Sequence, residues 1–560
     1  MWKELGYDFF NENKLAIIIY ILIVIFVLPL EAVYLPELYG KVFDKIKDLN
    51  SFPDIFDFTN NIRQDNFAGV LVLILGTWIV ILVFGVGKYI FEADLVPRYQ
   101  AHIRNTIYEK TIEAYSNEFQ DIKTGDYISR IFELARNFKD VAQQGVSRYI
   151  PDSIIGLVVV AYLYYKNTKI GLACIACTIL VILIQYLGYI YLTELIAEKE
   201  SFFNSELSEN LQDSLENLMN IYINNEKDSQ LDKNKENERI HYEYIQKIMN
   251  IETIIIYSCQ FLSLFTYGFS LYLLYELLKN KEVTNQNAVV ILLILGKFID
   301  YFAWTAGSIV HQFTYKIGII KGSEDFINKI FNNTNKKKKK DIIKEGHMKI
   351  NNIKYKHDPN SEEYLFNGLN WNIKGGEKVA LMGQSGAGKS TLMKLMINLY
   401  PVQEGSIEID GVNIREIDND HLRDNVNYIN QRTNLFNESV LYNMQYGNDI
   451  EEAVIAKKLK DYELDVLFND LEDGINSNVG VHGGNLSGGM QKITMLMRGL
   501  LRPAKIVLID EPLSGLDADT RVKAIKMIMS ECENKTLVII THDEEILPFM
   551  HNIVDIKDIQ

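Results

Sequence analysis

Before about residue 320 the apolar residues of this chain gather into long runs; after it they fall into short blocks of four or five, broken by glycines and charges. The long runs lie near 15–38, 67–95, 150–165, 170–195, 251–278 and 288–313. A bilayer core of ~30 Å takes about 20 apolar residues in helical form. The stretch Ala68–Gly87 carries no charge, which a buried helix of a soluble protein would rarely sustain. Six membrane-spanning helices are therefore expected. The first run does not read as a signal peptide. Its flank is acidic (Glu4, Asp8, Glu12), no small-residue cleavage site follows, and the run continues through Ala32, Val33 and Tyr34.

Spacing adds orientation. Spans three and four are joined by little more than Lys166-Asn167-Thr168-Lys169, and spans five and six by 279–287. The connections 95–149 and 193–250 are long, charged and patterned as helices, so helices should run well beyond the bilayer on that side. An even number of spans puts both termini there too. Basic residues are dense on that side (Arg98, Arg104, Lys110, Lys123, Arg130, Arg136, Lys139, Arg148), as the positive-inside tendency expects of cytosolic connections. From Asn332 the composition turns polar, and Lys336 to Lys340 is an unbroken lysine run. Such a run can bind anionic lipid, but some twenty residues past the last span it reads as a solvated linker.

Composition narrows the function classes. A chain of 560 residues exceeds a single hydrophobic core. The net charge of −16 argues against a nucleic-acid partner, which a basic face would attract. Four cysteines are too few for a disulfide framework. Cys174 and Cys177 form a C-x-x-C inside an apolar run, where thiolates are suppressed, and read as small core residues.

The chemistry lies in the second half. Lys378–Met382 is a short apolar strand, followed directly by Gly383-Gln384-Ser385-Gly386-Ala387-Gly388-Lys389-Ser390 and then Thr391. This is a phosphate loop in its strand-to-helix setting. The glycines let backbone N–H groups converge on phosphate at a helix N-terminus, whose dipole favours anions. Lys389 should reach the β- and γ-phosphates of a nucleotide and the Ser390 hydroxyl should ligate Mg²⁺. A second strand, Ile506–Ile509, ends in Asp510-Glu511-Pro512. There Asp510 can hold the Mg²⁺ shell while Glu511 polarises the attacking water. A third strand, Leu537–Ile540, ends in Thr541-His542. Three such ends should meet at the carboxyl edge of an open α/β sheet, where ligands bind.

Between the last two strands stands Leu486-Ser487-Gly488-Gly489-Met490-Gln491, which resembles the LSGGQ signature of ATP-binding cassette proteins. The resemblance extends to Gln431 (the Q-loop), to Ser514-Gly515-Leu516-Asp517 (the D-loop) and to His542 (the H-switch), over essentially all of 348–556. The first half is similar to the six-helix exporter domain of that family: Thr124–Ile131 looks like its first coupling segment, and Leu35-Pro36 through Gly40 and Asp44 like the outer end of its first helix. The resemblance implies a transmembrane domain over 1–332, a linker over 333–345 and an α/β nucleotide-binding domain over 346–560. It implies an ATP- and Mg²⁺-dependent transport ATPase that works as a dimer of half-transporters. A homodimer is favoured because no hydrolytic position is lost. Each ATP would lie between one phosphate loop and the partner's signature, with Ser487, Gly488 and Gly489 facing the γ-phosphate. Glu511 would be the general base, His542 would position the γ-phosphate, and Gln431 would bind the metal and link it to the membrane domain, with Asp517 nearby. An ATP-gated channel or regulatory subunit is the alternative within the family.

Three positions depart from the family pattern. Met490 replaces the signature glutamine, though the following Gln491 partly preserves the composition. Val481 stands where exporters place a glutamate. The aromatic residue that stacks on adenine aligns with His357, with Tyr355 as the other candidate. For cargo, span six offers Lys297, Asp300, Trp304, Ser308 and His311 along one face at helical spacing, with Glu31 on span one as a further acid. Charges at membrane depth should be paired or face water. This stripe could line a substrate path, or Lys297 and Asp300 could form a packing ion pair. Membrane lipid and an unidentified cargo complete the expected partners.

Overall fold

The computed structural model describes residues 3–46, 67–117, 124–331, 343–358, 361–431 and 434–560. The chain divides into two compact units, with main bodies before and after residues 332–333.

Helices of the first unit follow the apolar runs. Among the described residues, five stretches are long and apolar enough to cross a membrane: Lys14–Lys45, Phe67–Tyr115, Tyr127–Lys166, Thr168–Glu216 and Lys227–Lys279. The sixth expected span is a helix as well, Asn285–Ser308. The helix Phe67–Asn117 has 51 residues; at 1.5 Å per residue that is about 75 Å, more than twice the bilayer core. The first span is not uniform. Lys14–Pro29 passes through a π-helical turn, Leu30–Tyr34, into Leu35–Lys45. Pro29 and Pro36, either side of that turn, lack the N–H an α-helix uses, and the wider turn absorbs the mismatch.

The tight connection after the third span has a local cause. Asn167 is extended, and its side chain accepts hydrogen bonds from the N–H groups of Lys169 (3.1 Å) and Ile170 (3.2 Å), starting the next helix. Gly171 then packs so closely on the Tyr164 backbone that a Cβ would collide with it. Behind this hairpin lies a core of Val159, Leu163, Ile170, Cys259, Ile294 and Phe298, which also holds Cys174 and Cys177 as free, buried thiols. The outward faces are the reverse of a soluble protein's: Leu82, Val83, Ile254, Phe261 and Phe265 are all more than half exposed. A continuous apolar exterior of this kind is stable where lipid replaces water.

Among its described residues the second unit has two sheets. β1 (Met348–Tyr355), β2 (Phe366–Ile373), β4 (Glu404–Ile409) and β5 (Val412–Asn413) form an antiparallel sheet in the order β2-β1-β4-β5. β3 (Lys378–Met382), β6 (Val426–Ile429), β7 (Ile506–Asp510), β8 (Thr536–Ile540) and β9 (Asn552–Asp555) form a parallel sheet ordered β6-β7-β8-β3-β9. β7 and β8 are buried at every residue, hence their uninterrupted apolar sequences. The arrangement is the helical bundle followed by an α/β domain that the sequence predicts.

The β4–β5 turn carries a staple. Asp410 has φ +49°, and its Oδ2 accepts from the N–H groups of Lys344 (2.7 Å), Glu345 (3.0 Å) and Gly346 (3.2 Å), its Oδ1 from that of His347 (2.8 Å). Partial burial pushes this carboxyl up, but the four N–H donors outweigh it and hold the carboxyl below its usual range. Because the folded value is depressed, the stabilisation is complete above the unfolded pKa of about 3.9 and is lost as pH falls through the lower folded value. Asp410→Ala should cost about 1–2 kcal/mol locally. Hydrogen exchange of the 344–347 amides should then accelerate roughly tenfold, and in the unmutated protein the same protection should fade below about pH 4. Unchanged exchange in the variant would show that the staple carries no load.

Candidate functional site

The phosphate loop joins β3 to the helix Lys389–Met396. Gly388 has φ +88° and Gly383 φ +143°, and a Cβ at these positions would come within 2.8 Å of Phe366 and 2.7 Å of Ile556. Only glycine satisfies both demands. Gln384, Ser385 and Gly386 are exposed at the tip, with Ala387 behind them. Lys389 is 7% exposed; its Nζ donates to the carbonyls of Gly383 (2.7 Å) and Gln384 (2.9 Å). The ammonium is thus curled over the loop whose N–H groups would meet phosphate.

β8 lies between β7 and β3, so the three strand ends singled out in the sequence stand side by side. Asp510, at the end of β7, is almost fully buried and takes hydrogen bonds from Tyr428 Oη (3.4 Å) and the Ser390 hydroxyl. Burial pushes its carboxyl above the ordinary carboxylate range, and the neighbouring Glu511 adds to this. Glu511 follows at φ +47°, in the left-handed region that non-glycine residues avoid. Its N–H donates to Ile540 O (2.9 Å) on β8, and its Oε2 accepts from Gln431 Nε2. The Q-loop glutamine and the expected base therefore touch directly. His542 is exposed just beyond β8.

The sequence reading missed Lys492. It lies on the helix Gly488–Leu500, is 6% exposed, and donates from Nζ to Gln431 O (3.3 Å). Burial pulls its ammonium down, against the opposing pull of Glu511 and Asp510. One buried cation thus faces the two acids and fixes the backbone of Gln431. The available signal was a lysine directly before the largely apolar stretch Ile493-Thr494-Met495-Leu496-Met497.

The signature occupies the start of that helix. Ser487 is the N-cap, its hydroxyl accepting from Met490 N (3.3 Å), and Ser487 and Gly488 are exposed with Gly489 half-buried. Met490 packs on the apolar core. Gln491 does not stand in for it: its Nε2 turns back to Gly483 O (2.8 Å) and Leu486 O (3.3 Å), fastening the preceding turn. Val481 is 69% exposed. Asp517 caps the helix Ala518–Glu531 through Thr520 N (3.0 Å) and Thr520 Oγ1 (2.7 Å), and these donors hold its carboxyl below the usual range. Next in the chain, Arg521 donates to Leu516 O (3.0 Å) and pairs with Asp543 (3.5 Å), tying the D-loop to the residue after His542.

The two adenine candidates differ in exposure. Tyr355 is buried, parallel to Tyr400 at 6.2 Å, and meets His357 edge-on at 5.5 Å. His357 is exposed, its Nε2 3.4 Å from Thr391 Oγ1 beside the phosphate loop.

In the helical unit, Lys297 Nζ pairs with Glu31 Oε1 at 3.1 Å. Its partner is the acid on the first span, in the π-helical turn, and not Asp300, which is exposed. His311 pairs instead with Glu252 at 2.9 Å. The side chains of Trp304 and Ser308 lie outside the described residues, as do residues 332–342, which hold most of the expected linker.

Comparison with known proteins places this geometry. Residues 15–302 match the model for the ABC transporter transmembrane region and 366–514 that for the ABC transporter. An uncharacterized ABC transporter ATP-binding protein of Haemophilus influenzae is 35% identical over 206 residues, covering 36% of this chain and 33% of that protein. The ABC transporter ATM1 of Plasmodium falciparum is 38% identical over 197 residues, 35% of this chain and 19% of that protein. These matches span a third or less of the relatives' own length. An ATP-dependent lipid A-core flippase of Francisella novicida aligns more broadly, at 25% identity over 85% of this chain and 81% of the flippase. The fold is like that of a bacterial Atm1-family ABC exporter with ATP bound: TM-score 0.83 at 19% identity, covering 98% of this chain and 93% of that one. With the transmembrane and ATP-binding regions of one family in a single polypeptide, the chain belongs to the ABC transporters.

Proposed function

We propose that this chain is one half of an ATP-driven exporter, acting as a dimer, with its termini and nucleotide domain in the cytosol. Its two nucleotide domains pair head to tail. Each ATP then lies between the phosphate loop of one and Ser487, Gly488 and Gly489 of the other. The observation that carries this reading is the direct contact of Gln431 with Glu511, beside Asp510 and Ser390. Water activation and phosphate binding thereby share one edge of the parallel sheet. Ser390 and Asp510 are hard oxygen donors already in contact, which suits Mg²⁺, with Gln431 adjoining; bound there, the ion would neutralise developing phosphate charge. Glu511 takes the proton of the attacking water. Lys492 keeps Gln431 placed, His542 and Asp517 border the γ-phosphate, and closure of the dimer drives alternating access.

Cysteines at Ser385 and Ser487 would test the arrangement in lipid nanodiscs. The native thiols are buried, so background should be low. A disulfide between chains that forms with ATP and is lost without it is expected. ATP turnover by isolated monomers, with no cross-link, would overturn the dimeric site.

His357 is proposed to stack on adenine, with Tyr355 buttressing its edge. His357→Ala should raise KM for ATP about tenfold with kcat little changed, the mark of lost uniform binding. An unchanged KM would remove the role from His357. Transfer of the role to Tyr355 would need a raised KM in a folded Tyr355→Ala.

A further inference from the structure

The helical unit contains a cavity of about 550 Å³ lined by Gln144, Glu252, His311, Gln312, Tyr315 and Lys316 among others. Its centre is an acid in an unusual position. Glu252 is 4% exposed; its Oε2 lies 2.9 Å from His311 Nδ1, while its Oε1 is buried with no hydrogen-bond partner among the described residues. A buried carboxylate oxygen without a donor is expensive. The cavity's own cation does not supply one. Lys316 is engaged with Asp140 at 3.4 Å, Asp140 is paired again with Lys139 at 2.5 Å, and Tyr315 Oη accepts from Lys199 at 3.2 Å. Lys316 and Tyr315 are therefore engaged elsewhere, and Glu252 Oε1 keeps no donor among the described residues.

The walls are built to be irregular. Gln144 directly precedes the π-helical turn Gly145–Tyr149, and His311 sits within another, Ile309–Thr314. Such turns re-aim side chains and recur at functional sites. Ile245, Ile248 and Met249 supply an apolar wall beside the acid. The cavity thus pairs a hydrophobic surface with one negative acceptor, the complement of an amphiphilic cation. A metal ion fits less well: the described residues contain no cluster of three or more His, Cys, Asp or Glu, and a metal needs more than the Glu252–His311 pair.

We propose that this cavity binds an organic cation, an ammonium or guanidinium group on an apolar body, with Glu252 as its counter-charge and His311 as the positioning residue, and that the exported cargo presents such a group. The cargo clause rests on the exporter reading above; the binding clause does not.

The test uses the full-length protein in nanodiscs without nucleotide, probed with dodecylammonium, dodecylguanidinium, dodecanol and dodecyl sulfate by calorimetry. Saturable dodecylammonium binding is expected, displaced by dodecylguanidinium and not by dodecanol. Glu252→Gln, which keeps size and can still meet His311, should weaken it at least tenfold. Glu243→Gln, at an exposed carboxylate already paired with Arg239, should not. Equal displacement by dodecanol overturns the proposal, as does undiminished binding in Glu252→Gln, or binding of Zn²⁺ with none of the amine. The displacement series needs no variant, so a misfolded Glu252→Gln leaves the question decidable. Amine binding without ATP-driven movement of the amine would keep the site and remove the export reading. ATP-driven export of other molecules with no amine binding would do the reverse.

Discussion

Glu511→Gln is expected to leave ATP binding intact and to lower steady-state hydrolysis by about 10³-fold, the size of a lost general base. The substitution is nearly isosteric. It keeps a side chain that can meet Gln431, and it leaves the backbone at φ +47° with the same burden as before. What changes is the ability to take a proton from water. Lys492 would still face Asp510, so the pocket keeps its buried cation partly compensated. The variant should therefore accumulate as a closed dimer with two nucleotides held, countable by rapid filtration of labelled ATP. Steady-state turnover equal to that of the unmutated protein would rule Glu511 out as the base.

Lys389→Ala should abolish turnover by a different route. On the proposed role its ammonium would neutralise phosphate charge, and before that it bridges the carbonyls of Gly383 and Gln384. Removing it strips charge and a fastening from the same loop. Lys389→Met, which restores the aliphatic bulk, separates the two effects: hydrolysis should stay lost while the loop regains its packing. The helical unit has its own core, so its spans should remain folded in both variants. More than about a tenth of the normal ATPase rate, a barrier change of only ~1.4 kcal/mol, would put the phosphate-loop assignment in trouble.

The nucleotide half was readable because its chemistry is local. A loop such as Gly383–Ser390 needs glycines at fixed offsets whatever surrounds it, and Asp510 follows its buried strand without interruption. The spans were readable because lipid demands an apolar exterior and tolerates little charge. Pairings between distant segments were not readable. Nothing near Lys297 in sequence points to Glu31, since helical spacing favours Asp300, and only packing of the first span beside the sixth decides between them. Glu252 escaped notice for the same reason, at the edge of an apolar run and far in sequence from His311. Lys492 was hidden by its helix, whose apolar neighbours read as core. Gln491 shows the opposite error: proximity to the signature suggested a substitute for the missing glutamine, whereas its amide is spent on Gly483 and Leu486.

The left-handed backbone at Glu511 has a bearing on protein engineering. A glutamate there costs of order 1–3 kcal/mol that glycine would not incur. Thermal screening of a random library should therefore enrich Glu511→Gly, and to a lesser degree Glu511→Asn, as more heat-resistant proteins. On the role proposed for Glu511, those winners would be inert ATPases. A laboratory lineage selected for robustness alone would discard the proposed water-activating group, and only a screen that scores turnover would retain it.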